Sequence, residues 1–551
     1  MSIHSGRTVR RPYSPSSANL RPGMPVGSKP LRNPIVTSLL KAAPSYCARF
    51  GVAVLLAALA DFFFYGQPVG ITLFLFGTTL AAAVTAIHPS ALRARGLWLG
   101  LAALLVGLLP LIENVSALSA AIGPAAMVVF ALWLVGRLRR GLARIAGQVA
   151  LFLLAAPFRF VHDFFRWRKA AWRLGQRPIR LAAIGVWIMP LTLGAVFLAL
   201  FGAANPVIEY WLSLIDLHAL LDLIQLPRLA FWLVVLAGVW VFLRPRLPRF
   251  FRRIAHLELP IPLGVTTTKS AKAIEDIVFG KAAILRALVV FNILFAVQTA
   301  LDATYLWGGI ALPDGLTYAA YAHRGAYPLI VTALLAAGFV LAALRPGSAT
   351  SGDPLIRRLV YVWVAQNIVL VISSILRLDL YIGVYALTYW RVAAFVWMGL
   401  VAAGLALIIA RIALEKSNEW LLSANLLTLS VTLYACSFIN FAALIANYNV
   451  EHSFEMTGRG TKLDFWYLRS LGPSAWPALD RFLEHQGRTS AASIPSHREL
   501  VRLLGQDEIR YRAGQENWRA WSFRDWRLLR TLDTYIPFVV PQGSEPFVPG
   551  R

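Results

Sequence analysis

A chain of 551 residues could hold several soluble domains, but 58% of it is apolar and 15% charged, with a mean hydropathy of +0.61. The apolar residues gather in blocks of the roughly 20 needed to cross a bilayer core, which excludes an ordinary soluble globule. The net charge of +26 would suit nucleic acid, yet Lys and Arg collect in alternate loops between the apolar blocks, so membrane lipids with anionic headgroups are the expected partners and nucleic acid is not.

Residues 1–49 are basic and rich in Pro and Ser, a composition that cannot build a core, and are expected to be a disordered cytoplasmic tail. No small-residue cleavage site follows the next apolar run, so it reads as an uncleaved first span. Residues 50–135 hold the first four spans: Phe50–Tyr65, interrupted by Asp61; Val69–Ile87; Leu97–Ile112, closed by Glu113; and Ala117–Val135.

The segment 136–180 is basic with an apolar middle. About thirteen apolar residues before Pro157 are too few to span comfortably. Beyond it, Phe158, Phe160, Phe164, Phe165, Trp167 and Trp172 alternate with Arg159, Arg166, Arg168, Lys169 and Arg173. That mixture predicts a cytoplasmic interfacial amphipathic helix, rings at the headgroups and cations outward. The alternative is that Leu151–Pro157 dips into the membrane.

Residues 181–243 carry the fifth span (Leu181–Phe201), an outward interfacial helix (Ile208–Ile224) and the sixth span (Leu229–Leu243), and 244–281 form a basic cytoplasmic loop. Residues 282–442 supply five more spans: Ala282–Leu301, Tyr327–Leu344, Leu359–Leu376, Val392–Ala410 and Trp420–Phe441. The remainder, 443–551, is polar. Its apolar spacing at Leu468, Leu471, Ala475, Leu479 and Leu483, and again at Leu500–Leu504, predicts short helices. With so few aliphatic residues this tail should pack on the bundle rather than fold alone. The expected fold is therefore all-α: a polytopic transmembrane helix bundle of about eleven spans with interfacial amphipathic helices and a small helical C-terminal extramembrane segment.

Charge tests the threading. The connections 1–49, 88–95, 136–180, 244–281, 345–358 and 411–419 are rich in Lys and Arg; those at 65–68, 113–116, 202–228 and 302–326 are poor in them and hold most of the neighbouring acids. This alternation puts the N-terminus in the cytoplasm and, after an odd number of spans, the tail in the periplasm of a bacterial inner membrane. Cys47 and Cys436 then lie on opposite halves of the bilayer, which excludes a disulfide between them.

Two polar stretches interrupt the last spans. Within Tyr305–Gly325, Gly308 and Gly309 break the seventh helix, Pro313-Asp314-Gly315 signals a turn, and Tyr318, Tyr321 and Arg324 recur at helical spacing. Within Arg377–Arg391, the residues Arg377, Tyr381, Tyr385 (or Val384), Thr388 and Arg391 recur at three to four positions. Such stripes suit an anionic headgroup or phosphate near the outer leaflet. Equally, the tyrosines can belong to an interfacial belt, and the arginines can pair with Asp302, Asp314 or Asp379. No catalytic constellation, nucleotide fingerprint, cofactor motif or metal-ligand spacing accompanies them. Glu451, His452 and Glu455 read as ordinary surface, and polar residues inside the spans, such as Asn292, Gln298 and Asn367, read as interhelical hydrogen-bond formers.

YLWGG at Tyr305–Gly309 with GLTYAAYAHRG at Gly315–Gly325, RLDLYIGVYALTYWR at Arg377–Arg391, IANYNV at Ile445–Val450, LDFWYLRSLGPSAWPAL at Leu463–Leu479 and WRAWSFRDWR from Trp518 resemble a family of bacterial polytopic membrane proteins of unknown function, DUF4173 (DUF4153-like). The resemblance covers roughly Phe279–Arg530. It departs at Ala320, where the family motif tends to have Glu, and at His323, where it tends to have Arg. The resemblance implies the architecture and leaves the mechanism open. The reading that follows is a multi-pass inner-membrane protein acting as an envelope or signalling component. The alternatives are a transporter or lipid-handling protein using the two stripes, and a membrane transferase for which Asp302 and Asp314 would be the carboxylates to test.

Overall fold

A computed structural model describes residues 34–88, 96–173, 225–245, 280–307, 353–489 and 495–534, with scattered positions in 189–205 and 331–339. It divides into two units, Met1–Ala48 and Arg49–Arg551; the contacts below lie within the second.

The described residues form an all-α, multi-helix bundle. Its helices are α1 (Pro34–Phe64), α2 (Thr72–Ile87), α3 (Leu97–Glu113), α4 (Ala117–Leu134), α5 (Leu142–Arg173), α6 (Leu226–Leu243), α7 (Lys281–Asp302), α8 (Pro354–Tyr385), α9 (Tyr389–Ala413) and α10 (Asn418–Cys436), followed by α11 (Phe441–Glu451), α12 (Phe454–Thr457), α13 (Phe465–Ser470), α14 (Trp476–Thr489), α15 (Pro495–Gln515) and α16 (Phe523–Leu532). Among the described residues, five helices are long and apolar enough to cross a membrane (α4, α6, α7 with the turn that follows it, α8 and α9), and the number rises to seven if two bent pairs each count as one span. The expected fifth and eighth spans fall largely outside the described residues, as does the expected interfacial helix at 208–224.

Side chains mark the helix starts. Ser116 and Ser119 form a reciprocal capping box at α4, Asp353 accepts from the Leu355 and Ile356 amides with Pro354 at the first position of α8, and Ser417 caps α10. Each satisfies amides that the first helical turn leaves without partners. Small residues let α3 and α4 approach closely: a β-carbon at Gly107 would stand 2.5 Å from the Ala126 β-carbon, and one at Gly100 would strike the Trp133 ring.

Three expectations change. α1 begins at Pro34, inside the stretch expected to be disordered. The segment after residue 136 is one long helix, α5, bent by 64° between Ala156 and Phe158, where Pro157 removes an amide donor. Its cations do not all face outward: Arg159 is buried, lies 5.0 Å over the Phe152 ring and donates to the Arg244 carbonyl at 2.5 Å. Asp163 accepts from Trp240 Nε1 at 3.3 Å and pairs with Arg244 at 3.3 Å. This segment is packed along α6, because Phe152 buries against Val128, Leu132 and Val241, and that apolar seat carries the flanking arginine inward. Finally, the helix of the expected last span stops at Cys436. After a 70° bend, α11 starts on Asn440, whose side chain accepts from the Ala443 amide.

Two apolar cores follow. One joins α7, α8, α9 and α10 around Leu288, Ile356, Val360 and Trp363, with Phe291 stacked on Trp363 at 5.1 Å. The other belongs to the tail, where Ile445, Ala446, Leu468, Leu479, Leu483, Leu504 and Leu528 pack together with Ile382 and Leu387 from the α8–α9 junction.

Polar contacts sort the helix ends into two groups. At one end lie Arg137 with the Pro245 carbonyl, Arg144 with Glu419, Arg357 with Glu415 and Lys281 with Asp353. At the other, Arg228 grips Asp61 with both arms of its guanidinium (2.9 and 2.5 Å), and Trp232 donates to the same carboxylate at 3.1 Å. The tail seats on this second end. The Ile71 amide donates to the Trp521 carbonyl at 2.8 Å, Asn517 donates to Gln67 at 2.9 Å, and Arg519 donates to the Phe62 carbonyl at 3.2 Å. Glu113, buried at the end of α3, accepts from both Arg524 (3.3 Å) and Arg527. Gly70 permits this seat, since a β-carbon there would stand 2.5 Å from the Ala520 backbone.

Candidate functional site

The second polar stretch lies at the tail-bearing end of the bundle, against the end of α7. α7 closes on Asp302, and the chain continues through one π-helical turn, Ala303–Trp307, before the glycines. Wide turns of this kind recur at functional sites. Asp302 is 1% exposed. It forms an ion pair with buried Arg377 of α8, accepts from Ser373 Oγ at 2.5 Å and accepts from Gln298 one turn earlier at 3.0 Å. A carboxylate in this setting requires such saturation, because leaving either charge without its partner would cost several kcal/mol. Arg377 is therefore committed to α7 and does not point along one surface with its neighbours in the motif.

The rest of that motif builds the junction between α8 and α9. Tyr381 and Tyr385, one turn apart, bring their rings to 4.6 Å. Arg391, in the first turn of α9, lies 4.7 Å over Tyr381 and 5.9 Å over Tyr385, and donates to the carbonyls of Tyr385 (2.5 Å) and Ala386. These carbonyls at the end of α8 have no continuing helix to bond to, so the guanidinium replaces it. Thr388 stands at the cap of α9 without a side-chain cap bond. Ala386 takes φ +63°, ψ 173°, a backbone region that is essentially glycine's.

What holds Ala386 there comes from the tail. Asn449 of α11, buried, accepts from the Leu387 amide at 2.6 Å and donates to the Leu387 carbonyl at 2.9 Å. The hydroxyl of Tyr467 accepts from the Tyr389 amide at 3.2 Å, and burial raises its phenol above the usual tyrosine range. Both groups belong to stretches singled out in the sequence, IANYNV and LDFWYLRSLG, but their partners lie 62 and 78 residues away, so no spacing rule points to the pairing.

The structure thus places Arg377, Tyr381, Tyr385, Thr388 and Arg391 at one junction and divides their work. Arg377 ties α8 to α7, while the two tyrosines and Arg391 seal the helix break. Tyr318, Tyr321 and Arg324 lie outside the described residues. Among the described residues no three His, Cys, Asp or Glu side chains converge to hold a metal ion. In the tail itself, burial, with the Glu508 and Glu484 carboxylates nearby, pushes the Asp480 carboxyl up to about 7. One of its oxygens has no hydrogen-bond partner.

No curated protein and no solved structure matches the chain. A family model described as a domain of unknown function, DUF4153, matches residues 100–482, a range that takes in most of α3, α4 to α10, the α8–α9 junction and the tail as far as Phe482. A multi-pass membrane bundle with this match over more than half its length belongs to the DUF4153 family.

Proposed function

We propose that the protein is a non-enzymatic, multi-pass inner-membrane component of the bacterial envelope or of a signalling system. It is threaded through about eleven spans, with a cytoplasmic N-terminus and a periplasmic tail. Its outward surface is formed by 302–326, 377–391 and the tail, with anionic lipids around it. The observation that carries this reading is the employment of the two motif arginines that the structure describes. Arg377 neutralises Asp302, and Arg391 caps the end of α8. Groups so engaged build a surface; they are not held in readiness for a reacting molecule. In this reading Tyr318, Tyr321 and Arg324 contribute to the same outward surface, and Ala320 gives it no carboxylate of its own.

Purified protein in proteoliposomes, offered lipid-linked and phosphorylated substrates, tests this. The expected result is no turnover. Turnover that disappears in Arg324→Ala or Arg377→Ala, with the fold intact by circular dichroism, would make the protein an enzyme.

A further inference from the structure

The tail does not fill the angle at the end of α8. A cavity of about 260 Å³ remains there, floored by Ile382, Gly383 and Ala386 and walled by Tyr448 of α11 and His452 at its C-cap. Its rim is the turn that carries Arg459. The volume is below the ~300–1,000 Å³ of sites for drug-sized molecules, which limits an occupant to something the size of a headgroup or small metabolite.

The lining is apolar on one side and cationic on the other. Tyr448 and His452 stack at 4.1 Å, and the His452 Nδ1 is engaged with the Tyr448 carbonyl at 2.9 Å, leaving Nε2 uncommitted. Arg459 is exposed and forms no ion pair among the described residues. The neighbouring acids are occupied: Glu451 pairs with Arg481 at 3.6 Å, and Glu455 accepts from the Leu463 amide at 3.1 Å. Asp379, one turn before Ile382, is the acid of α8 closest to the floor in sequence and does not line the cavity. The turn is held in place from beneath. Gly460 sits at φ +90°, where a β-carbon would meet the His452 carbonyl at 2.6 Å, and the Phe454 amide donates to the Thr461 carbonyl at 2.9 Å.

We propose that this cavity binds a small phosphate-bearing anion, its charge on Arg459 and its body against the floor at Ile382, Gly383 and Ala386. A phospholipid headgroup and free phosphate share this chemistry, and guanidinium is the side chain best matched to it. The proposal goes beyond the outward-surface reading and does not depend on it, because enzymatic turnover elsewhere would leave the cavity as it is.

The test uses the full chain in nanodiscs of phosphatidylcholine, with and without added phosphatidylglycerol, read by native mass spectrometry, and in detergent with radiolabelled inorganic phosphate by equilibrium dialysis. Two variants accompany it. Arg459→Ala removes the charge from an exposed turn, and Gly383→Leu fills the floor at a position where a β-carbon meets nothing within 4 Å. Phosphatidylglycerol retained, or phosphate bound, and weakened about tenfold by both variants at unchanged melting temperature, is the expected result. Retention of the lipid alone identifies a headgroup, and phosphate binding alone identifies a free anion. Binding of neither probe, or binding that both variants leave intact, overturns the proposal.

Discussion

Arg377 and Asp302 bury opposite charges at a helix end that has few other polar groups, so neither tolerates loss of its partner. Arg377→Ala should destabilise the bundle by roughly 3–5 kcal/mol. The double change Arg377→Ala with Asp302→Ala should cost less than the sum of the singles, because the stranded charge has gone; unfolding in denaturing detergent reads both. Equal, additive losses would show that the pair is not coupled. At the junction, Ala386→Gly relieves a backbone conformation that costs on the order of 1–3 kcal/mol in a residue with a β-carbon. It should therefore stabilise, whereas Asn449→Ala leaves the buried Leu387 amide and carbonyl unsatisfied and should destabilise by about 1–3 kcal/mol. Amide exchange at Leu387 follows both. Asp480 makes a pH prediction of a definite sign. The folded tail holds this proton up to about pH 7, while an unfolded aspartate releases it near ~3.9. The contribution to stability is complete below the lower value and is lost as pH rises through the higher one. Asp480→Asn should thus stabilise the tail by roughly 1–3 kcal/mol at pH 8 and change little at pH 4, as measured by tail hydrogen exchange. At this scale the sequence made one pairing legible and hid another. Asp302 was a candidate partner for the motif arginines because carboxylates near the spans are so scarce. Asn449 could not be foreseen, since an asparagine can cap, turn or cross-link and only the fold brings Leu387 to it.

Among the elements, hydropathy located the helices α4, α6, α7, α8 and α9 to within a few residues at most of their ends, because twenty-residue apolar blocks admit few other readings. It was less informative where one helix serves two environments. α8 runs on to Tyr385, past the expected end of its span at Leu376, since Arg377 is neutralised inside the protein and does not need to reach water. Likewise α5 passes Pro157 with a bend, its Arg159 donating to a carbonyl of the neighbouring connection. Composition alone counts such arginines as surface. The tail's attachment lies at this scale too. Glu113 binds two arginines of α16, so Glu113→Gln weakens both contacts and should loosen the seat of Trp518–Leu532 without unfolding the bundle. Limited proteolysis should cut near Glu516 several-fold faster in that variant, as expected for loss of charge-assisted hydrogen bonds. An unchanged cutting rate would assign the docking to Ile71 and Gln67 instead.

Taken as a whole, the described helix ends fall into two groups, and each group pairs cations with acids. Arg137, Arg144, Arg357 and Lys281 gather at one end. Asp61, Glu113 and Asp302 gather at the other, beneath the tail. The arginines of the tail do not conflict with an outward placement, because long segments translocate largely regardless of charge. The tail's own fold was legible in part. Leu468, Leu479, Leu483 and Leu504 carry its core as their spacing suggested, but the seating of Trp521 on Ile71, 450 residues earlier, depends on a close backbone approach at Gly70 that no local pattern marks. The central claim is that this capped end faces the periplasm, and site-directed labelling tests it most directly. With Cys47 and Cys436 changed to Ser, Arg488→Cys in the tail should react with a membrane-impermeant maleimide in cells whose outer membrane alone has been opened, while a cysteine at Lys416 should not. Labelling of Lys416→Cys in those cells, with Arg488→Cys reached only after the inner membrane is lysed, would invert the topology and contradict the account.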